Sequence, residues 1–213
     1  MTAHSTAEWR QAVRSGRRLE YFTIAYNLIE GLASLIAGWM AGSVSLVGFG
    51  LDSVIEVTSG AAVLWRLEHD REACGRERLE RASLRMVGGC FLALALYILF
   101  ESGASLAGHQ PPRPSVPGIA VAAASLVVMP LLARAKRRAA TRMGSGALRA
   151  DARQADFCTW LSAILLGGLL LNKTLGWWWA DPAAALVMAP IIIREGVNGL
   201  CGRDCCWHAP DTP

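Results

Sequence analysis

The chain has 213 residues, 53% of them hydrophobic and 18% charged, with a formal net charge of +4. A soluble domain carries roughly 25% charged residues. Here the charges crowd into short blocks, and apolar residues fill runs long enough to cross a membrane. That distribution excludes a disordered chain, a disulfide scaffold and an ordinary soluble enzyme.

Six runs qualify as spanning helices: Glu20 to Gly42, Val44 to Arg66, Leu84 to Ala107, Pro117 to Ala135, Arg153 to Leu171 and Trp178 to Leu200. Each holds about 19 to 24 residues, and a helix rising 1.5 Å per residue crosses the hydrocarbon in about 20. The first run follows a charged segment and lacks a small-residue cleavage site, so it reads as a retained helix and not a signal peptide. The expected fold class is all-α, a polytopic membrane protein with six transmembrane helices. Residues 1–19 form an N-terminal segment, 20–200 the membrane domain and 201–213 a short Cys/His-containing tail, too short to bury a core.

Orientation follows from the basic residues. All 21 of them except Arg113 and Lys173 fall on one side: before the first span, between the second and third, from Arg134 to Arg153, and at the C-terminal end. Short loops rich in arginine and lysine stay in the cytosol, so both termini are expected to be cytoplasmic. The positive charge then reports topology, which argues against nucleic acid as a partner. The outer connections are slight: Gly42–Ser43, a proline-rich stretch from His109 to Pro117, and Asn172 to Trp177. Trp177, Trp178 and Trp179 suit an aromatic belt at that outer interface. Arginine far outnumbers lysine, which suggests a GC-rich bacterial genome and so a bacterial cytoplasmic (inner) membrane. No cysteine falls in an outer loop, so reduced thiols are expected.

Charged side chains deep in a span are costly and face a partner, a cavity or a substrate. Glu30, Asp52, Glu56 and Glu101 lie well inside the predicted spans, and no lysine or arginine lies deep enough to neutralise them. Acids without basic partners call for a cation. Asp52 and Glu56 are four apart and share a helix face. Glu56 comes out about 18 Å below the outer boundary, with Glu30 at about the same depth and Asn27 one turn nearer the cytosol. Glu101 is shallower and reads as packing or gate. On the fifth span Asp151, Gln154 and Cys158 follow the i, i+3, i+7 spacing of one face, while Asp156 points elsewhere. Thiolate and carboxylate together make a reasonable zinc shell. The tail adds Cys201, Cys205, Cys206 and His208, which read as a cytosolic metal-capture cluster, as a palmitoylation site or as an unstructured segment.

The stretch Gly42-Ser43-Val44-Ser45-Leu46-Val47-Gly48-Phe49-Gly50-Leu51-Asp52-Ser53-Val54-Ile55-Glu56 resembles the second-helix signature of the cation diffusion facilitator family, with Asp52 and Glu56 at its two ligand positions. Ala150-Asp151-Ala152-Arg153-Gln154 through Ser162 is similar to the start of that family's fifth helix. Gly176-Trp177-Trp178-Trp179-Ala180-Asp181-Pro182 is similar to its link into the sixth. The resemblance runs from about Tyr21 to Asn198. The sequence departs from the family where a His-x-x-x-Asp pair is usual, since Gln154 and Cys158 stand there. The family's cytosolic metal-binding domain is expected to be absent, as in tail-less, six-helix zinc-efflux-like branches.

The resemblance implies export of a divalent metal, zinc foremost, in exchange for protons, by a homodimer in the lipid bilayer. It implies no permanently bound cofactor and no enzymatic activity. The metal set on this reading is Asp52, Glu56, Glu30, Asn27, Asp151, Gln154 and Cys158. Two rival readings are a non-transporting membrane interaction protein that kept the fold, and a carrier of organic cations. Against the second, only Phe49 lies near Asp52 and Glu56, and an organic-cation cage needs more aromatic faces.

Overall fold

A computed structural model describes residues 3–68, 76–109, 111–144 and 146–201. The described residues form six helices: α1 (Ala3–Ala41), α2 (Val44–Glu68), α3 (Arg76–Ala107), α4 (Val116–Met143), α5 (Gly146–Leu175) and α6 (Ala180–Cys201). All six contain a segment long and apolar enough to cross a membrane. The chain is an all-α polytopic membrane protein, as its hydropathy predicts. Six crossings bring both ends of the described chain to one face of the bundle, here called the termini face.

The helices divide into two sets. α1 packs along α2 and α4, and α4 along α5, while α2 also meets α5. These four make a bundle, with α3 and α6 paired beside it against α2 and α5. Close approach depends on missing side chains at two points. A Cβ on Gly50 would stand 2.8 Å from Leu35 Cγ and 3.1 Å from the Gly31 carbonyl, and a Cβ on Gly88 would stand 2.7 Å from the Gly196 carbonyl. Small residues let membrane helices touch backbone to backbone. Those contacts join α1 to α2 and α3 to α6.

Burial is arranged inside out. Ile29, Trp39, Met40, Leu96 and Phe100 are exposed, as suits a surface in hydrocarbon. Glu20, Asn27, Glu30, Asp52, Glu56 and Lys136 are buried among Phe49, Met129, Leu161 and Leu165. At the face opposite the termini, Trp177 and Trp179 stack at 5.1 Å between ring centroids, and His109 lies 5.2 Å from Trp178.

Most turns match the sequence reading. Gly42 adopts a left-handed φ of 65° between α1 and α2. Ser43 caps α2 by accepting from the Leu46 N–H at 3.2 Å. Ser115 caps α4, and Gly144 closes it with a left-handed φ of 64°. The α4–α5 connection differs. The fourth span is expected to end at Ala135 and the fifth to start at Arg153, yet α4 runs to Met143 and α5 begins at Gly146. Arginine and alanine are good helix formers, so the helices outlast the apolar runs.

Candidate metal centre

Three helices present polar stripes inward. On α1, Glu20, Thr23, Asn27, Glu30 and Ser34 recur at alternating intervals of three and four, and all are buried. On α5, Asp151, Gln154, Cys158 and Ser162 recur at intervals of three, four and four, and all are buried. α2 supplies Asp52, Ser53 and Glu56. Such stripes would be exposed faces in water; here they line the bundle's interior.

The stripes converge at mid-bundle. One carboxylate oxygen each of Glu30 and Glu56 and the sulfur of Cys158 lie within 4.8 Å of one another. Asn27 Nδ2 donates to Glu56 Oε2 at 2.7 Å, and Ser53 Oγ donates to Glu30 Oε2 at 3.0 Å. Asp52 is fully buried beside the Cys158 thiol, within electrostatic reach of Glu30 and of Glu195 on α6. Tyr26 and Ser125 flank Glu30.

These groups are short of donors. Glu30 Oε1, Glu56 Oε1, Asn27 Oδ1 and both oxygens of Asp52 are buried with no hydrogen-bond partner among the described residues. A buried acceptor left unsatisfied costs about 1–3 kcal/mol, more when charged. One cation at this point would satisfy several of them together. Two carboxylates and a thiol, with Asp52 adjoining, suit a four-coordinate divalent ion of borderline softness. The donor set fits.

Of the seven residues the sequence singles out, Asn27, Glu30, Asp52, Glu56 and Cys158 come together. Gln154 is buried on the same α5 face, its Nε2 without a partner among the described residues. Asp151 is set apart: the ammonium of Lys136 pairs with it, and with Glu20 at 3.3 Å. Asp151 lies two helical turns from Cys158, about 10 Å along α5. Lys136 pairs with Glu20 and Asp151 and not with Glu30, Asp52 or Glu56. Lys136, which the hydropathy reading leaves in a loop, is 1% exposed. Its charge is met by Glu20 and Asp151, which allows α4 to carry it into the interior. Asp156 points away, as its phase predicts, and pairs with Arg137 at 2.6 and 3.0 Å on an exposed face. Glu101 is half-buried beside Tyr97 on α3. Of the tail cluster, Cys201 is exposed at the end of α6, and Cys205, Cys206 and His208 lie outside the described residues.

Four participants escape the sequence reading. Glu20 sits at a predicted span end, where an acid draws no notice. Ser53 carries no charge, and Glu195 lies near the end of the sixth span. Asp181 has the clearest role: its carboxylate accepts from Ser43 Oγ at 2.6 Å, from the Val44 N–H at 2.9 Å and from Ser45 Oγ. It thereby ties the start of α6 to the start of α2.

The fold and the centre define a multi-pass membrane protein with an acidic, thiol-bearing site sealed in its bundle. Residues 21–200 match the cation efflux transmembrane domain, and the chain belongs to that family. An uncharacterised transporter of Synechocystis sp. is 28% identical over 165 residues, covering 75% of this chain and 53% of that protein. The cation-efflux pump FieF of Shewanella oneidensis is 25% identical over 173 residues, covering 80% of this chain and 58% of the pump. The chain thus spans little more than half the length of these relatives. The resemblance to the cation diffusion facilitators is borne out.

Proposed function

We propose that this protein exports a divalent metal cation from the cytosol, zinc foremost, in exchange for protons. The supporting observation is the meeting of Glu30, Glu56 and Cys158 within 4.8 Å, next to an Asp52 carboxylate that has no partner among the described residues. Glu30, Asp52, Glu56 and Cys158 are the ligands on this reading, and Asn27 and Ser53 orient two of them. Asp151 and Gln154 stand nearer the termini face on the same face of α5.

Proton coupling follows from the chemistry of the donors. Carboxylates and a thiol bind a metal only when deprotonated, so metal and protons compete for the same atoms. A metal arriving from one side releases protons, and protons arriving from the other release the metal. Rocking of the α1–α2–α4–α5 bundle against the α3–α6 pair is the motion that would expose the site to each side in turn. The arginine-rich termini face is the cytosolic one by the positive-inside rule. On this reading both termini lie inside, and the membrane is a bacterial cytoplasmic one. The family resemblance carries a homodimer, with the exposed apolar faces of the helices meeting lipid or a second copy.

The test is Zn²⁺ uptake into inverted vesicles, with and without an imposed pH gradient, across a panel of divalent metals. Uptake that rises when the vesicle interior is acidic is the expected result. Metal uptake indifferent to the gradient rules out antiport, and no uptake of any metal rules out transport.

A further inference from the structure

We infer that Glu20 and Asp151 form a second cation station, on the termini side of the metal centre, in which Lys136 serves as a tethered occupant. The inference rests on the transport reading for its purpose and on separate residues for its evidence.

Three helices build the station. Glu20 comes from α1, Lys136 from α4 and Asp151 from α5, all buried, and the ammonium contacts both carboxylates. Two acids face one base, one carboxyl more than the single ammonium can balance if both are ionised. The extra carboxyl oxygen is bare: Glu20 Oε1 has no hydrogen-bond partner among the described residues, although Glu20 is 0% exposed. α2 comes close here through Gly60, where a Cβ would stand 3.3 Å from Glu20 Oε2.

The placement gives the cluster its role. Glu20 precedes Asn27 and Asp151 precedes Cys158 by the same two helical turns, about 10 Å. Between them lie Thr23 on α1 and Gln154 on α5, both buried and polar. A polar track therefore leads from the station to the centre along the helices that supply ligands at both levels. Lys136 and Asp151 also act electrostatically on Glu56, so the two levels sense each other's charge. A lysine ammonium is a point charge on a flexible four-carbon stem and can withdraw without unfolding α4. An incoming divalent cation that displaces it meets two carboxylates and cancels their charge. When the ion moves inward, Lys136 returns and closes the path behind it.

The test is Zn²⁺ binding by the purified full chain in detergent, using equilibrium dialysis. Lys136→Gln removes the tethered occupant, and this variant is expected to bind one additional Zn²⁺ per chain over wild type. The gain is expected to vanish in the combined variant Glu20→Gln, Lys136→Gln, Asp151→Asn, which leaves no charge at the station. A folded Lys136→Gln protein with wild-type stoichiometry overturns the inference, as does an extra ion that persists in the combined variant. Should Lys136→Gln fail to fold, Glu20→Gln keeps an even pair and reads the same question in vesicles. Its half-saturation concentration for Zn²⁺ should rise about tenfold, well beyond any fall in maximal rate; an unchanged half-saturation overturns the inference. A wild type that neither binds nor moves Zn²⁺ counts against the transport reading instead.

Discussion

Asn27 Nδ2 lies 2.7 Å from Glu56 Oε2, a buried hydrogen bond from α1 to α2 that fixes one oxygen of Glu56 and leaves the other bare. Asn27 thus orients a ligand, in the manner of groups that steer metal-binding carboxylates from behind. Asn27→Leu removes the donor at similar size. Apparent affinity for Zn²⁺ is expected to fall about tenfold, with the protein still monodisperse in detergent. Zinc titrations of the variant that superimpose on wild type would refute an orienting role.

Asp52 poses a sharper question, because both its oxygens are buried without a partner among the described residues. Asp52→Asn keeps the volume and removes the charge. If Asp52 awaits a cation, the variant should lose metal transport yet melt no lower than wild type, since an unpaired buried carboxylate stabilises nothing. Glu56→Gln should behave alike, and Glu30→Gln should weaken transport less severely. Undiminished transport by Asp52→Asn in inverted vesicles would remove the centre of the proposal.

Much of this was legible in sequence, and the residues show where legibility ends. Helix number and the tight Gly42–Ser43 turn follow from apolar runs bounded by glycine and charge. Asp52 and Glu56 stand out because an acid in an apolar run has no cheap explanation. Lys136 did not stand out, because it adjoins Arg137 and Arg138 and reads as the start of a basic loop. Only the three-dimensional meeting of α1, α4 and α5 reveals that its charge is met inside. Asp151 shows the same limit: helical phase gives the face a residue shares, and says nothing of which helix arrives opposite it.

Asp181 supplies a prediction about stability. Its carboxylate gathers two serine hydroxyls and a backbone N–H at the N-terminus of α2, where the helix dipole also favours a negative charge. Asp181→Ala strips these donors of their acceptor inside the protein. The expected loss is about 3 kcal/mol, from hydrogen bonds to a charged acceptor. Thermal melting in detergent checks it, and a melting temperature equal to wild type would show that water substitutes for the carboxylate.

Orientation can be read directly. Pro114 and Arg142 are both exposed and lie at opposite ends of α4. In a background without native cysteines, Pro114→Cys should react in whole cells with an impermeant thiol reagent, and Arg142→Cys should react only after lysis. The reverse pattern would place the arginine-rich face outside.

Cys158 decides whether the centre has a soft donor. The thiol is fully buried and meets Glu30 and Glu56 within 4.8 Å. A buried cysteine also packs well as a small hydrophobe, so burial alone does not make it a ligand. Cys158→Ser separates the two roles, since it preserves shape while exchanging sulfur for oxygen. Soft sulfur favours Cd²⁺ and Zn²⁺ over Mn²⁺, and an oxygen donor reverses the bias. Cadmium uptake relative to manganese uptake is therefore expected to fall about tenfold in the variant. A second readout needs no transport. In a background where the other five cysteines are replaced, bound Cd²⁺ should give an ultraviolet thiolate-to-metal charge-transfer band, absent when Cys158→Ser is added. An unaltered metal profile together with an unaltered band would make Cys158 a packing residue, leaving the three carboxylates to hold the ion alone.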